Sequence, residues 1–228
     1  MKIFYDLHIH SCLSPCGDDE NTPNNIVNMS KLKGLDVIAI ADHNSAKNAR
    51  AAAKVGNDTG VLVIPALELT TSEDIHVLCL FNSFEGSDEF TKFIAKKIIK
   101  IKNNTKIFGN QFIMNENDEI TGEEKFLLTI SSGIDIDKIN LLIKEFDGIA
   151  IPAHIDRQSN GIIGVLGYYD KDLNFPAVES NKKIIEDVPY ISNSDAHYLE
   201  NINERVNSLT VEELSIKSVI KGIIDKNV

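Results

Sequence analysis

Leu35-Asp36-Val37-Ile38-Ala39-Ile40-Ala41-Asp42-His43-Asn44 is the stretch whose reading decides the fold. From Leu35 to Ala41 it is nearly continuously apolar, the mark of a strand covered on both faces in a parallel sheet, and it ends abruptly in three polar residues. The same arrangement recurs on either side. Upstream, residues 3–9 read as a buried strand ending at His8 and His10, and because a strand turns residues i and i+2 to one side, the two imidazoles can meet at one point. Downstream, Val61 to Leu67 ends at Glu68, Gly148 to Ala153 ends at His154, and Tyr190 to Asn193 leads into Asp195-Ala196-His197. A further strand, Ile75 to Phe81, has His76 near its start, and short strands are expected at Phe175 to Glu179 and around Ser208 to Thr210.

Helical segments alternate with these strands. Thr22-Pro23 is an N-cap followed by proline at the first helical position, and Gly34 stops the helix it opens. Ser45 is expected to cap a helix through about Asn57, and Phe90, Phe93, Ile94, Ile98 and Ile101 give an apolar stripe to a helix from about Asp88 to Asn103. Its lysines at 92, 96, 97, 100 and 102 read as its solvated side. Two more helices are expected at Ile136 to Phe146 and at Glu212 to Asp225. Between Lys106 and Ser132 no period holds, so about 84–132 reads as an insertion or cap on a single domain spanning 1–228.

Alternating strands and helices argue for a parallel α/β architecture. Polar residues at the ends of at least five strands favour a closed or nearly closed barrel over an open sheet, whose ligand site draws on two or three. All six histidines lie at these strand-associated positions, joined by Glu68 and Asp195, so a polynuclear divalent-metal site is the economical account of them. Mixed nitrogen and oxygen donors suit Zn, Mn or Fe.

Composition sets the outer bounds. A net charge of -11 disfavours a grip on long nucleic acid through phosphate neutralisation, though not a nucleotide. No apolar run approaches a membrane span, the N-terminus lacks a signal-peptide pattern, and Cys12, Cys16 and Cys79 do not make a disulfide framework, so a cytoplasmic protein is expected.

Asp6-Leu7-His8-Ile9-His10-Ser11, Ala41-Asp42-His43-Asn44, Pro152-Ala153-His154 and Ser194-Asp195-Ala196-His197 resemble, in order and context, the four motifs of the PHP (polymerase and histidinol phosphatase) phosphoesterases. The resemblance implies a distorted (β/α)7 barrel of the PHP type with a small insertion, two or three divalent ions (Mn, Fe or Zn), and hydrolysis of a phosphate ester of a small metabolite or nucleotide by hydroxide formed on the metals. It implies that His8, His10, Glu68 and Asp195 hold a first ion. Glu68 would bridge to a second on His76 and His154, and a third would rest on His43, His197 and a residue of the following loop. Here the sequence departs from the usual Asp or His, leaving Cys16, Asp18 or Asp19 for that place. Asp195, His43 and His197 are the candidate catalytic residues, the histidines supplying the leaving-group proton if the third ion is absent. Asp42 and Asp6 would orient imidazoles, and Arg157 would bind substrate phosphate or pair with Asp156. Other readings are a histidinol-phosphate phosphatase, an oligonucleotide exonuclease, a metal-dependent amidohydrolase-like enzyme, and a metal-binding regulatory module without activity.

Overall fold

The computed structural model describes residues 1–225. Strand β1 (Lys2–Ile9) is followed by α1 (Pro23–Leu32), β2 (Val37–Ile40), α2 (Ala49–Thr59), β3 (Leu62–Thr70), β4 (His76–Phe81) and α3 (Phe84–Lys97). An excursion carries the short α4 (Thr105–Phe108) and the hairpin β5 (Phe112–Met114) and β6 (Ile120–Glu123). The chain returns through α5 (Ile136–Leu142), β7 (Gly148–Pro152), α6 (Ile162–Leu166), β8 (Val178–Glu179), β9 (Tyr190–Ile191), β10 (Ser208–Thr210) and α7 (Ile216–Ile224). No helix among the described residues is long and apolar enough to cross a membrane.

One curled sheet runs β10-β1-β2-β3-β4-β7, and the pair β8-β9 spans its open side. Ile155 N donates to Glu179 O at 3.0 Å beside β7, and the bridge between Ile9 and Ala196 meets β1, which completes a distorted ring of seven strands with β10 outside it. The ring is mixed rather than parallel: β4 runs antiparallel to both β3 and β7. The cause is the connection from Thr71 to Ile75, a tight turn with Asp74 at φ 67°. A parallel return needs a crossover of a dozen or more residues, which this turn cannot provide. Reversal places the start of β4, and with it His76, at the mouth where β1, β2, β3 and β7 end.

Inside the ring Ile3, Tyr5, Leu7, Val37, Ala39, Ile64, Leu80 and Ile151 form an apolar cluster, and α7 closes that end with Val219, Ile220 and Ile223. An outer cluster joins the other face of β3, β4 and β7 to α3 and α5 through Leu67, Cys79, Phe81, Phe90 and Ile139. Parity along β1 is not constant. Tyr5 and Leu7 belong to the inner cluster, Phe4 and Ile9 to an outer one, and the register shifts between Asp6 and Ile9. Such an irregularity re-aims side chains, and here it turns His8 and His10 to the side that Leu7 occupies one turn of the pleat below.

Helix limits differ where capping decides them. Thr22 Oγ1 accepts Asn25 N, and Gly34 follows α1 at φ 76°, as the sequence indicates. Ser45 does not cap α2, which begins at Ala49, and α3 starts early because Ser83 Oγ accepts Gly86 N. That helix stops at Lys97, so Ile101 leaves the apolar stripe and is exposed. The excursion is anchored on the loop after β1: Phe112 N donates to Cys12 O at 2.9 Å and Asn110 Nδ2 to Asp19 Oδ2 at 2.7 Å. A Cβ on Gly109 would lie 2.1 Å from Pro15 O, so this contact admits glycine alone.

Candidate metal centre

Glu68, at 1% exposure near the end of β3, is the point on which the mouth converges. Its carboxylate lies 2.9 Å from His76 Nδ1, 3.1 Å from His43 Nδ1, 3.1 Å from His154 Nε2, 3.4 Å from His8 Nε2 and 3.5 Å from His10 Nε2. Asp195 Oδ1 adds contacts at 3.4 Å to His8 and 3.0 Å to His10. Burial opposes charge on Glu68, yet the imidazoles of His76, His8 and His43 hold its carboxyl well below the usual range. Three of the strand ends carry non-glycine residues at positive φ: Asn44 at 51°, His154 at 29° and Asp195 at 52°. Backbone held in this region is the kind of strain that persists at functional sites.

Hydrogen bonds on the far nitrogens of three imidazoles turn the near nitrogens inward. Although burial opposes it, the charges of Glu179, Asp195 and Glu68 hold His8 well above its ordinary range, so a cation would take the place of a proton there. His8 Nδ1 donates to Glu179 Oε2 at 2.9 Å, which turns Nε2 inward without a hydrogen-bond partner. Ser14 Oγ donates to Asp42 Oδ1 at 2.7 Å and therefore accepts His10 Nδ1 at 2.9 Å, leaving His10 Nε2 as an acceptor. His197 Nδ1 donates to the Asp195 carbonyl at 2.8 Å and frees its Nε2. Burial takes His10 down to about 3, so its ring is neutral. An acceptor nitrogen on His10 thus faces the Asp195 carboxylate at 3.0 Å, an arrangement that requires positive charge between them. His43 Nδ1, facing Glu68, is buried without a hydrogen-bond partner, as is His154 Nδ1 on the side of its ring away from Glu68. The donor set fits divalent metal, and its atoms fall into three groups, each within 4.8 Å: His8, His10 and Glu68; His43, Glu68 and His76; His10, Cys16, His43 and His197.

The loop alternatives separate here. Cys16 Sγ is turned to the site although the residue is otherwise exposed, and burial, then the charge of Glu68, push the thiol up to about 12. Asp18 Oδ1 instead accepts Glu20 N, and Asp19 Oδ2 holds Asn110. Arg157 pairs not with Asp156 but with Asp195, Nη1 to Oδ2 at 2.6 Å, with its side chain half exposed. Asp42 orients His10 through Ser14, while Asp6 touches no imidazole: its carboxylate accepts the backbone N–H groups of Ser194 and Asn203.

The PHP domain family profile matches residues 6–126, more than half of the chain. The chain belongs to the PHP family. A curated relative, an uncharacterized protein of Methanocaldococcus jannaschii, is 36% identical over 76 residues, covering 30% of this chain and 44% of that one. Among solved structures, the fold is similar to the lesion-specific endonuclease EndoQ of Pyrococcus furiosus, with a TM-score of 0.71 and 21% identity over 99% of this chain and 56% of that chain. It is also similar to a Bifidobacterium adolescentis protein assigned by prediction as a metal-dependent phosphoesterase, with a TM-score of 0.62 and 16% identity over 98% of this chain and 96% of that one. This PHP chain spans about half the length of the first two of these proteins.

One functional carboxylate of this PHP site was not singled out from the sequence. Glu179, at 3% exposure, accepts His8 Nδ1, Asn193 Nδ2 at 2.8 Å and His154 N at 3.2 Å. It ends β8 as Glu68 lies near the end of β3, so the strand-end rule that found Glu68 could have found it. Removing such an outer partner typically lowers metal affinity 10- to 100-fold, so Glu179→Gln is expected to weaken retention of an ion by about that factor, as read by competition with a calibrated chelator.

Proposed function

We propose that the protein is a metal-dependent phosphoesterase acting on a phosphate ester of a small metabolite or nucleotide. The observation that carries this reading is the convergence of five imidazoles on the buried Glu68, those of His8 and His10 held in place by bonds on their far nitrogens. His8, His10, Glu68 and Asp195 would hold one ion, Glu68 with His76 and His154 a second, and His43, His197 and Cys16 a third. When bound, two or three ions of Mn, Fe or Zn supply Lewis acidity toward a phosphoryl oxygen and toward water.

The chain's own residues set the geometry. Asp195 keeps Arg157 beside the cluster, and the donors of Arg157 not used in that pair can hold a phosphoryl oxygen. Where only two ions bind, His197 as imidazolium, with Nδ1–H fixed on the Asp195 carbonyl, can give the proton on Nε2 to the leaving-group oxygen, and the His43 and His197 rings lie 4.7 and 4.3 Å from that of His10. The full chain supplied with Mn is expected to release phosphate from an aryl phosphate or a nucleoside bisphosphate, and His10→Ala to abolish that release. Metal-loaded, folded protein that cleaves no ester in a broad panel would overturn the reading.

A specific surface favours a second substrate class, a nucleic-acid strand. Residues 91–108 contain six lysines and no acidic residue, in a chain of net charge -11. Lys92, Lys96, Lys97, Lys100, Lys102 and Lys106 are exposed and make no ion pair among the described residues. Exposed Ile99 lies among them, exposed Ile107 and Phe108 follow Lys106, and the adjoining Gly109 abuts the loop that carries Cys16. The similarity to an endonuclease is consistent with such a substrate. If a strand is bound, affinity for a labelled oligonucleotide falls steeply with salt and with the triple change Lys96→Glu, Lys102→Glu, Lys106→Glu, while aryl phosphate hydrolysis is unaltered. Oligonucleotide binding indifferent to both would exclude it.

A further inference from the structure

The donors around the mouth are of two kinds. Glu68 and Asp195 supply carboxylates to His8, His10, His76 and His154, and Glu68 also reaches His43 Nδ1 at 3.1 Å, so His43 stands on the border between the two kinds. The remaining corner, Cys16 with His43 and His197, has His10 as its neighbour and no carboxylate in its group. His43 Nδ1, between this corner and Glu68, is buried without a hydrogen-bond partner, and His197 is held by its Nδ1 so that Nε2 is free. The Cys16 loop is fixed on the same corner: Asp18 N donates to the His197 carbonyl at 2.9 Å, and Gly17 N to Ser14 O at 2.9 Å. Ser14 in turn receives His10 Nδ1 and His43 N, so one short loop places the thiol and orients its neighbours.

We infer that the centre is chemically divided: Cys16, His43 and His197 form a thiolate–imidazole site that selects a thiophilic ion such as Zn over Mn, beside a carboxylate-rich part that accepts Mn or Fe. The inference rests on the metal-centre reading above but not on any catalytic activity. Thiolate is a soft donor and Mn the weakest binder of the divalent series, whereas carboxylates suit Mn well. Occupation exchanges the Cys16 proton for the ion, and the proton leaves to solvent. Cys16, His43 and His197 would supply three protein donors, the number that open rather than closed zinc sites have.

The full chain, stripped by chelation and titrated with Co(II) alone, tests this by absorption. A thiolate-to-cobalt charge-transfer band in the near ultraviolet is expected in the wild type and in Cys12→Ser, and none in Cys16→Ser. With Zn in place of Co, X-ray absorption should show a sulfur scatterer at about 2.3 Å that Cys16→Ser removes. Cys16→Asp keeps an anionic donor without sulfur, and under equal Zn and Mn its Zn-to-Mn ratio should fall by about tenfold relative to wild type. Cobalt retained without the band, or a band that survives both Cys16 variants, overturns the division and leaves the phosphoesterase reading standing. Failure to retain any cobalt overturns the metal centre and the division together.

Discussion

Replacing Glu68 by glutamine is expected to cost the protein at least one bound ion and to lower phosphate release by more than about 100-fold, since even outer partners of metal ligands are worth 10- to 100-fold. The change is nearly isosteric at a position with 1% exposure, so the apolar layers around it are not disturbed. What changes is charge and donor character. Five imidazoles lie within 3.5 Å of a single carboxylate, and an amide there neither bridges two cations nor balances them. Its NH2 group also points a donor at nitrogens already orphaned or shared. Metal analysis after gel filtration, with turnover measured on the same sample, checks both parts. A variant with wild-type metal content and wild-type turnover would remove Glu68 from the centre.

The second large effect is on stability alone. Phe90→Ala should lower the free energy of unfolding by about 3–5 kcal/mol, the range for truncating a buried phenylalanine. Phe90 is fully buried on α3, with ring centroids 5.5 Å from Phe81, 5.0 Å from Phe146 and 6.1 Å from Phe93. This cluster lies outside the ring, away from the mouth, so metal content at saturating Mn should not change. Urea unfolding at fixed free Mn gives the first quantity, and metal analysis gives the second. A loss below about 1 kcal/mol would show that the layer repacks.

Much of this architecture was legible because it is local. The apolar run ending in Asp42-His43-Asn44 carries both its strand and its place at the mouth in one stretch, and Glu68 and His154 follow the same rule. His76 did not obey it, since it begins its strand. Only the reversal of β4, set by a five-residue turn whose consequence is tertiary, brings it to the others. The shift in β1 was invisible for a related reason: alternation predicts that His8 and His10 share a side, but not that this side is the one Leu7 already faces. Residues 106–132 gave no period because their order comes from distant partners. Asn48 Oδ1 accepts Met114 N at 3.0 Å, Gln111 Nε2 donates to Glu124 O at 2.9 Å, and Asn44 Nδ2 donates to Leu128 O at 2.7 Å. The choice among Cys16, Asp18 and Asp19 was equally a matter of direction, which spacing does not encode.

The join between β1 and the segment 193–197 has a mechanical meaning. Where β1, β2, β3, β4 and β7 share ladders, this join is held by Leu7 N on Asn193 Oδ1 at 2.8 Å, Ser194 N on Asp6 Oδ1 at 3.0 Å, His10 N on the Ala196 carbonyl at 2.9 Å and Ala196 N on the His8 carbonyl at 3.3 Å. His8 and His10 lie on one lip of this seam, Asp195 and His197 on the other. On the reading proposed above, an ion taking donors from both lips would bind the closed form alone, and at 100 times its dissociation constant would add about 2.7 kcal/mol to it. Chelation should therefore speed hydrogen exchange at the Leu7, His10 and Ala196 amides before it reaches the ladder between β2 and β3, so that the seam opens first and the cargo acts as the clasp of the barrel.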